Sequence, residues 1–256
     1  MRTGSDEALI RSNWRRYWSE HGHRIEKWDT VSETVLGTLE RESGGVAGRY
    51  FLEAGCGTGR ISLRLALNGA RVTCLDVAQE ALDLARAQFA CGAEADFVLG
   101  SILAMPPGEP QDVVWNSGVL EHFHLPDRTL ALRNFLKACR EDGRVVIITP
   151  YDRCLPYRLA KWLLERTGRW PYGREIPLRT LAPAVPSEGR LLREYTISFL
   201  PLLLDAHKFV PALQKPCLTL TRLLIRTLGS SGFLALDRLL SRLLGGYLLV
   251  SVLARR

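Results

Sequence analysis

The chain lacks several of the features that would narrow its class at once. None of its six cysteines, Cys56, Cys74, Cys91, Cys139, Cys154 and Cys217, forms a Cys-x-x-Cys pair. No zinc or other metal site is therefore expected, and a reducing, cytoplasmic setting fits free thiols best. The opening residues, Met-Arg-Thr-Gly-Ser-Asp-Glu, carry no apolar signal-peptide core. No uninterrupted apolar run reaches the roughly 18 residues of a membrane span. There is no internal repeat, no low-complexity linker and no long Lys/Arg block. The 256 residues still have a formal net charge of +7. That excess allows an anionic partner, nucleic acid or a membrane surface. Without a basic block, a basic soluble enzyme is the favoured reading and nucleic acid the less favoured partner.

What the chain does contain is an alternation. Short apolar runs at Arg49–Ala54, Arg71–Val77, Asp96–Gly100, Asp112–Asn116 and Arg144–Thr149 are separated by stretches with helical spacing of Leu and Ala. Those stretches are Arg60–Asn68, Ala78–Cys91 and Asp127–Cys139. Strand alternating with helix predicts an α/β, Rossmann-like doubly wound sheet, mostly parallel. Residues 8 to 40 read as helical and hold Trp14, Tyr17, Trp18 and Trp28. After Thr149 the pattern weakens. A helix is expected over Leu155–Arg166 and another over Thr196–His207, with Phe199, Leu202, Leu203 and Ala206 on one face and Pro201 as a kink. The apolar end, Gly246–Arg255, reads as a last strand.

The segment Glu53-Ala54-Gly55-Cys56-Gly57-Thr58-Gly59 runs from the first strand into a helix. Glycines let the backbone take positive φ and let a ligand approach closely. The helix start behind them offers free N–H groups. A dinucleotide fingerprint needs a third glycine where Arg60 stands, so NAD and FAD are disfavoured. The second strand ends in Asp76, where such folds put a carboxylate for ribose hydroxyls.

Together with Leu75-Asp76-Val77 and Asn116-Ser117-Gly118-Val119-Leu120-Glu121-His122, the loop resembles the class I S-adenosylmethionine-dependent methyltransferases. The likeness is nearest to their small-molecule branch, which includes the ubiquinone and menaquinone methyltransferases. It covers residues 45–150 well and the rest loosely. It implies one domain over 1–256: an N-terminal helical cap (1–43), a cofactor-binding core (45–150), a lid insertion (151–192) and a C-terminal part of the core (193–256) ending in an antiparallel last strand. By this resemblance Glu53 holds the methionine amino group of S-adenosylmethionine, and Gly55, Cys56 and Gly57 pass beneath the methionine part. Asp76 takes the ribose hydroxyls, and Val77 and Ile102 pack on adenine. Ser101 stands at the adenine edge, where many relatives have Asp. Asn116 and Ser117 are expected to line the same crevice.

Methyl transfer asks little of side chains beyond alignment, but a hydroxyl or amine nucleophile gains from a base of near-neutral pKa. His122, His124 and Tyr151 are the candidates, with His122 and Tyr151 taken as catalytic. A carbon nucleophile stays equally open. Trp18, His124, Tyr172, Arg174 and Glu175 are expected substrate contacts, and Glu121 begins the segment after the fourth strand that points to the same region. The acceptor is expected to be a small molecule, lipid-like or quinone-like. Arg222 with Arg226, and Arg238 with Arg242, are spaced to share helix faces among leucines, which suits peripheral membrane contact. A tRNA or rRNA methyltransferase and a non-catalytic cofactor-binding scaffold stand as alternatives.

Overall fold

A computed structural model describes residues 3–21, 28–170, 172–204 and 214–256. Its centre is a seven-stranded sheet of order β3-β2-β1-β4-β5-β7-β6. The parallel strands are β1 (Tyr50–Ala54), β2 (Arg71–Asp76), β3 (Asp96–Leu99), β4 (Gln111–Ser117) and β5 (Cys139–Pro150). Antiparallel to β5 runs β7 (Leu248–Arg255), and β6 (Gly189–Ile197) pairs antiparallel to β7 at the edge. The strand order reverses between β1 and β4, and a crevice opens at such a reversal.

Helices α3 (Arg60–Leu67), α4 (Gln79–Phe89) and α5 (Leu125–Ala138) connect the parallel strands. Strand alternation divides the core into two layers. Val146 and Ile148 of β5 pack with Leu65 of α3 and Leu39 of α2 (Thr30–Ser43). Val145 and Ile147 face Leu132 and Phe135 of α5 on the other side. The region read as helical from 8 to 40 holds α1 (Thr3–His21) and α2; residues 22–27 lie outside the described residues. Asp29 begins α2 by accepting the Ser32 N–H at 2.8 Å, and Gly44 ends it at φ 69°.

The C-terminal part departs furthest from the sequence pattern. Strand β6 occupies residues read as lid and as the start of a helix. A bulge between Leu191 and Arg193 breaks its alternation, and an edge strand tolerates charge, so its period of two is masked. The helix expected at Thr196 is α7 (Phe199–Leu204), which begins after Ser198 turns at φ 67°. Its buried face is Leu200 and Leu204, whereas Leu203 is exposed, and Ala206 and His207 lie outside the described residues. Pro201 falls in the first turn, where a missing N–H breaks no intrahelical bond. Asp237 of α8 (Gln214–Leu244) caps α7 by accepting the Ser198 and Leu200 N–H groups at 2.9 and 2.8 Å. Helix α6 (Leu155–Arg166) matches its expected span, and α8 bends at Gly229.

Candidate active site

The glycine loop after β1 is held by the end of β2. The N–H groups of Gly55 and Cys56 both donate to the Leu75 carbonyl, at 2.7 and 3.0 Å. The Gly57 N–H donates to Asp76 Oδ2 at 2.9 Å, and Asp76 Oδ1 accepts from the Ala78 N–H at 2.9 Å. Each carboxylate oxygen keeps a second lone pair, and Asp76 still lines the cavity. Burial raises the Asp76 pKa, and these backbone donors oppose the rise. Glycine is required at Gly57: its φ is +52°, and a Cβ there would sit 2.7 Å from the Trp18 ring. Helix α1 thus lies directly on the loop.

A cavity of about 330 Å³ opens above this loop at the carboxyl ends of β1, β2 and β4. At one end stand Glu53, Gly55, Cys56, Gly57, Asp76, Val77, Ser101, Ile102 and Ser117, so the crevice gathers nine of the ten residues expected to hold cofactor. Glu53 is buried and accepts the Ser62 hydroxyl at 2.6 Å; burial pushes its pKa up to about 8. Ser101 Oγ accepts the Leu103 N–H at 3.1 Å. The tenth residue, Asn116, is placed differently: it is fully buried in β4 and does not reach the cavity. Its successor Ser117 lines the cavity instead, because successive strand residues face opposite ways.

The other end of the cavity is aromatic and acidic. Trp14 and Tyr17 of α1 and Trp170 and Tyr172 of the segment after α6 form its walls, with Trp14 and Trp18 stacked at 6.1 Å. His122 meets the edge of Trp14 at 5.3 Å between centroids. Its Nδ1 lies 2.8 Å from the Arg174 carbonyl. A carbonyl only accepts, so Nδ1 carries the hydrogen and Nε2 keeps a lone pair. Burial lowers the His122 pKa, which keeps the ring neutral.

Three expected site residues stand away from this cavity. Tyr151 is held at a bridge to Leu178. His124 is exposed at the start of α5, and Arg174 points out while its backbone holds His122. Tyr172 and Trp18 do line it. Sequence reasoning assigned no role to Tyr247, which enters from just before the last strand; it named Glu175 as a substrate contact and pointed the Glu121 segment at the same region, and both acids line the cavity. For Tyr247 no local signal existed. For the two acids the signal was their nearness to His122 and Tyr172.

This is the architecture of the class I methyltransferases, with the glycine loop and the acid after β2 at the switch point of the sheet. Residues 51–143 match the family described as "Methyltransferase domain", so this segment is a methyltransferase domain. The chain is 29% identical over 152 residues to a ubiquinone biosynthesis O-methyltransferase of Idiomarina loihiensis, covering 58% of this chain and 59% of that one. It thus spans about three fifths of the length of the curated relatives it matches. Among solved structures it is similar to the N-methyltransferase NodS of Bradyrhizobium japonicum, in complex with S-adenosylhomocysteine. The TM-score is 0.55 at 18% identity, over 73% of this chain and 91% of that one. It is also similar to the [4+2]-cyclase SpnF, with a TM-score of 0.57 at 18% identity over 90% and 83%. These two likenesses concern the fold.

Proposed function

We propose that the chain moves the methyl group of S-adenosylmethionine to a small-molecule acceptor bound in the same cavity. One observation carries the reading: a cofactor-type end and an aromatic, acidic end share one cavity at the switch point of the sheet. The cofactor end fits its ligand chemically. Glu53 supplies a buried carboxylate for the methionine ammonium, and an ion pair there would favour the ionised acid that burial alone disfavours. Asp76 offers its remaining lone pairs to ribose hydroxyls. Gly55, Cys56 and Gly57 leave room beneath the methionine part, Val77 and Ile102 flank adenine, and Ser101 lies at its edge. Bound S-adenosylmethionine supplies an electrophilic methyl group. The protein's contribution is to orient the acceptor, exclude water beneath the α1 cap and receive a proton where the acceptor has one to lose. His122 Nε2 is one site for that proton. Helices α1 and α2 act as cap, 45–150 as cofactor core, 151–188 as lid, and the chain from β6 onward closes the sheet.

The names of the ubiquinone O-methyltransferase relatives support an apolar, ring-containing acceptor. Methyl-labelled S-adenosylmethionine incubated with the protein and a metabolite extract tests this. A labelled small molecule, lost in a variant with Asp76→Ala, is expected. Cofactor binding with no labelled product from any extract would point to a scaffold.

A second reading rests on the surface. Leu220, Leu223, Leu228, Leu239 and Leu243 of α8 are exposed among the exposed Arg222, Arg226, Arg238 and Arg242. Leu155, Leu159, Trp162 and Leu163 of α6 are exposed as well. No helix among the described residues is long and apolar enough to cross a membrane. Basic apolar faces of this kind suit the surface of an anionic bilayer, where a lipid-like acceptor would be found. Co-sedimentation with phosphatidylglycerol vesicles, released by salt and absent with phosphatidylcholine, is the expected result; equal partition to both or neither would exclude it.

A further inference from the structure

Two buried acids face the acceptor end of the cavity, and nothing described so far gives them work. Glu121 is 2% exposed, and its Oε2 is buried without a hydrogen-bond partner. The side chain of Glu175 is 6% exposed; its Oε1 accepts the Tyr157 hydroxyl at 2.6 Å, and its Oε2 is likewise unpartnered. Lys161 stands 4.0 Å from Glu175 Oε2, too far for a hydrogen bond, and is paired with Glu165. Arg128 lies near Glu121 but donates to the carbonyls of Leu120 and Ile176, at 2.9 and 3.2 Å. The two acids are brought together by the backbone, since the Ile176 N–H donates to the Glu121 carbonyl at 2.8 Å.

An unpartnered polar atom inside a protein carries an uncompensated desolvation cost. Such a cost at two cavity-facing carboxylates has a function if a ligand brings the missing donors. Neighbouring like charges in a buried site also favour holding one proton between them. Burial raises the pKa of both Glu121 and Glu175; the Glu175 charge adds to the rise at Glu121, while Tyr157 and Lys161 oppose the rise at Glu175. A carboxylate with a raised pKa is a stronger base than an exposed one. The flanking Trp14, Trp170 and Tyr172 give the ligand an apolar, ring-shaped place to lie.

We propose that Glu121 is the catalytic base, that Glu175 positions and tunes it, and that the acceptor is an apolar-bodied molecule presenting a hydroxyl or amine hydrogen to this pair. This rests on the methyltransferase reading above. The acceptor's X–H proton passes to a Glu121 carboxylate oxygen, and the freed lone pair on X forms the new X–CH3 bond. The methyl–sulfur bond breaks with its electron pair left on sulfur, and S-adenosylhomocysteine is released. Glu121 later returns its proton to water. A carbon acceptor would have no use for the pair.

Three probes with one body test the class: para-ethylphenol, phenethylamine and ethylbenzene, titrated calorimetrically into the full chain loaded with S-adenosylhomocysteine. The phenol or the amine is expected to bind at least tenfold more tightly than ethylbenzene, and whichever wins identifies an O or an N acceptor. Glu121→Gln and Glu175→Gln should each weaken the winner by about tenfold, the scale of one lost buried hydrogen bond. Their affinity for S-adenosylhomocysteine should stay within about twofold. With S-adenosylmethionine and the winning probe, Glu121→Gln should lower kcat by about 10²-fold or more. Glu175→Gln should move the acidic limb of the pH–rate profile to lower pH, because it removes a negative neighbour. The other groups facing the pair (Arg128, Tyr157 and Tyr247 at Glu121, Lys161 and Glu165 at Glu175) and the neighbouring His122 are unchanged in that variant. A merely structural Glu175 would leave the limb in place. The proposal is overturned if ethylbenzene binds as well as the others, if none of the three binds, or if both variants keep wild-type probe affinity and kcat. Failure of the wild-type chain to bind S-adenosylhomocysteine would instead overturn the methyltransferase reading beneath it.

Discussion

The Gly57 N–H donates to Asp76 Oδ2 at 2.9 Å. The glycine loop and the acid after β2 are therefore one bonded unit before any ligand arrives. Asp76→Ala should remove both a ligand acceptor and a clamp on the loop. Affinity for S-adenosylhomocysteine should fall by about 10- to 100-fold, the scale of a charge-assisted hydrogen bond. The melting temperature should fall too, and Asp76→Asn should recover part of that fall, because one acceptor oxygen survives. Calorimetry and thermal unfolding measure the two effects separately. Unchanged affinity in a folded Asp76→Ala variant would contradict the ribose assignment.

Gly57→Ala tests the contact between cap and loop. The substitution places a side chain at φ +52° and a Cβ 2.7 Å from Trp18. Left-handed backbone alone costs about 1–2 kcal/mol. Adding Trp18→Ala should relieve the clash but not the backbone strain. The double variant should therefore recover stability only in part. Full recovery would mean that the backbone at Gly57 is not strained by a side chain.

Glu53 gives stability a pH dependence of known sign. Its folded pKa is raised from 4.5 to about 8 by burial. Between those values the unfolded chain has lost the proton and the folded chain retains it, so this group makes stability fall as pH rises from about 4.5 to about 8. Glu53→Gln removes that loss. Its melting temperature relative to wild type should rise by a few degrees across this window and level off above it, while affinity for S-adenosylmethionine drops. A difference in melting temperature that is flat with pH would show that Glu53 is ionised in the ligand-free fold.

His122 should be neutral at physiological pH. Burial lowers its pKa from 6.5, only partly offset by its bond to the Arg174 carbonyl. An NMR titration of the ring should give a midpoint below 6.5. A midpoint above it would remove the neutral Nε2 from the list of proton acceptors.

The parallel half of the sheet was legible because its signals are local. Each strand from β1 to β5 is a short apolar run, all but β3 followed by a helix, and the functional residues stand at the strand ends. Asp76 and Glu53 could be read for that reason. Asn116 misled because the strand's alternation decides which of two neighbours faces the crevice, and Ser117 does. The acceptor end was legible only as separate residues, Trp18, His122, Tyr172 and Glu175, because their meeting is assembled across the chain. Glu175 reaches Glu121 only because the lid backbone at Ile176 bonds to the turn after β4, and Tyr247 arrives from the other end of the sequence. Strand β6 was hidden by its bulge and its edge position.

The glycine loop, with Arg60 where a dinucleotide site has glycine, takes S-adenosylmethionine. Calorimetric titration of the full chain with S-adenosylmethionine, and separately with NAD, tests it most directly. One equivalent of S-adenosylmethionine bound, competed by S-adenosylhomocysteine and weakened by Asp76→Ala, with no heat from NAD, is the predicted result. Binding of NAD without binding of S-adenosylmethionine would contradict it.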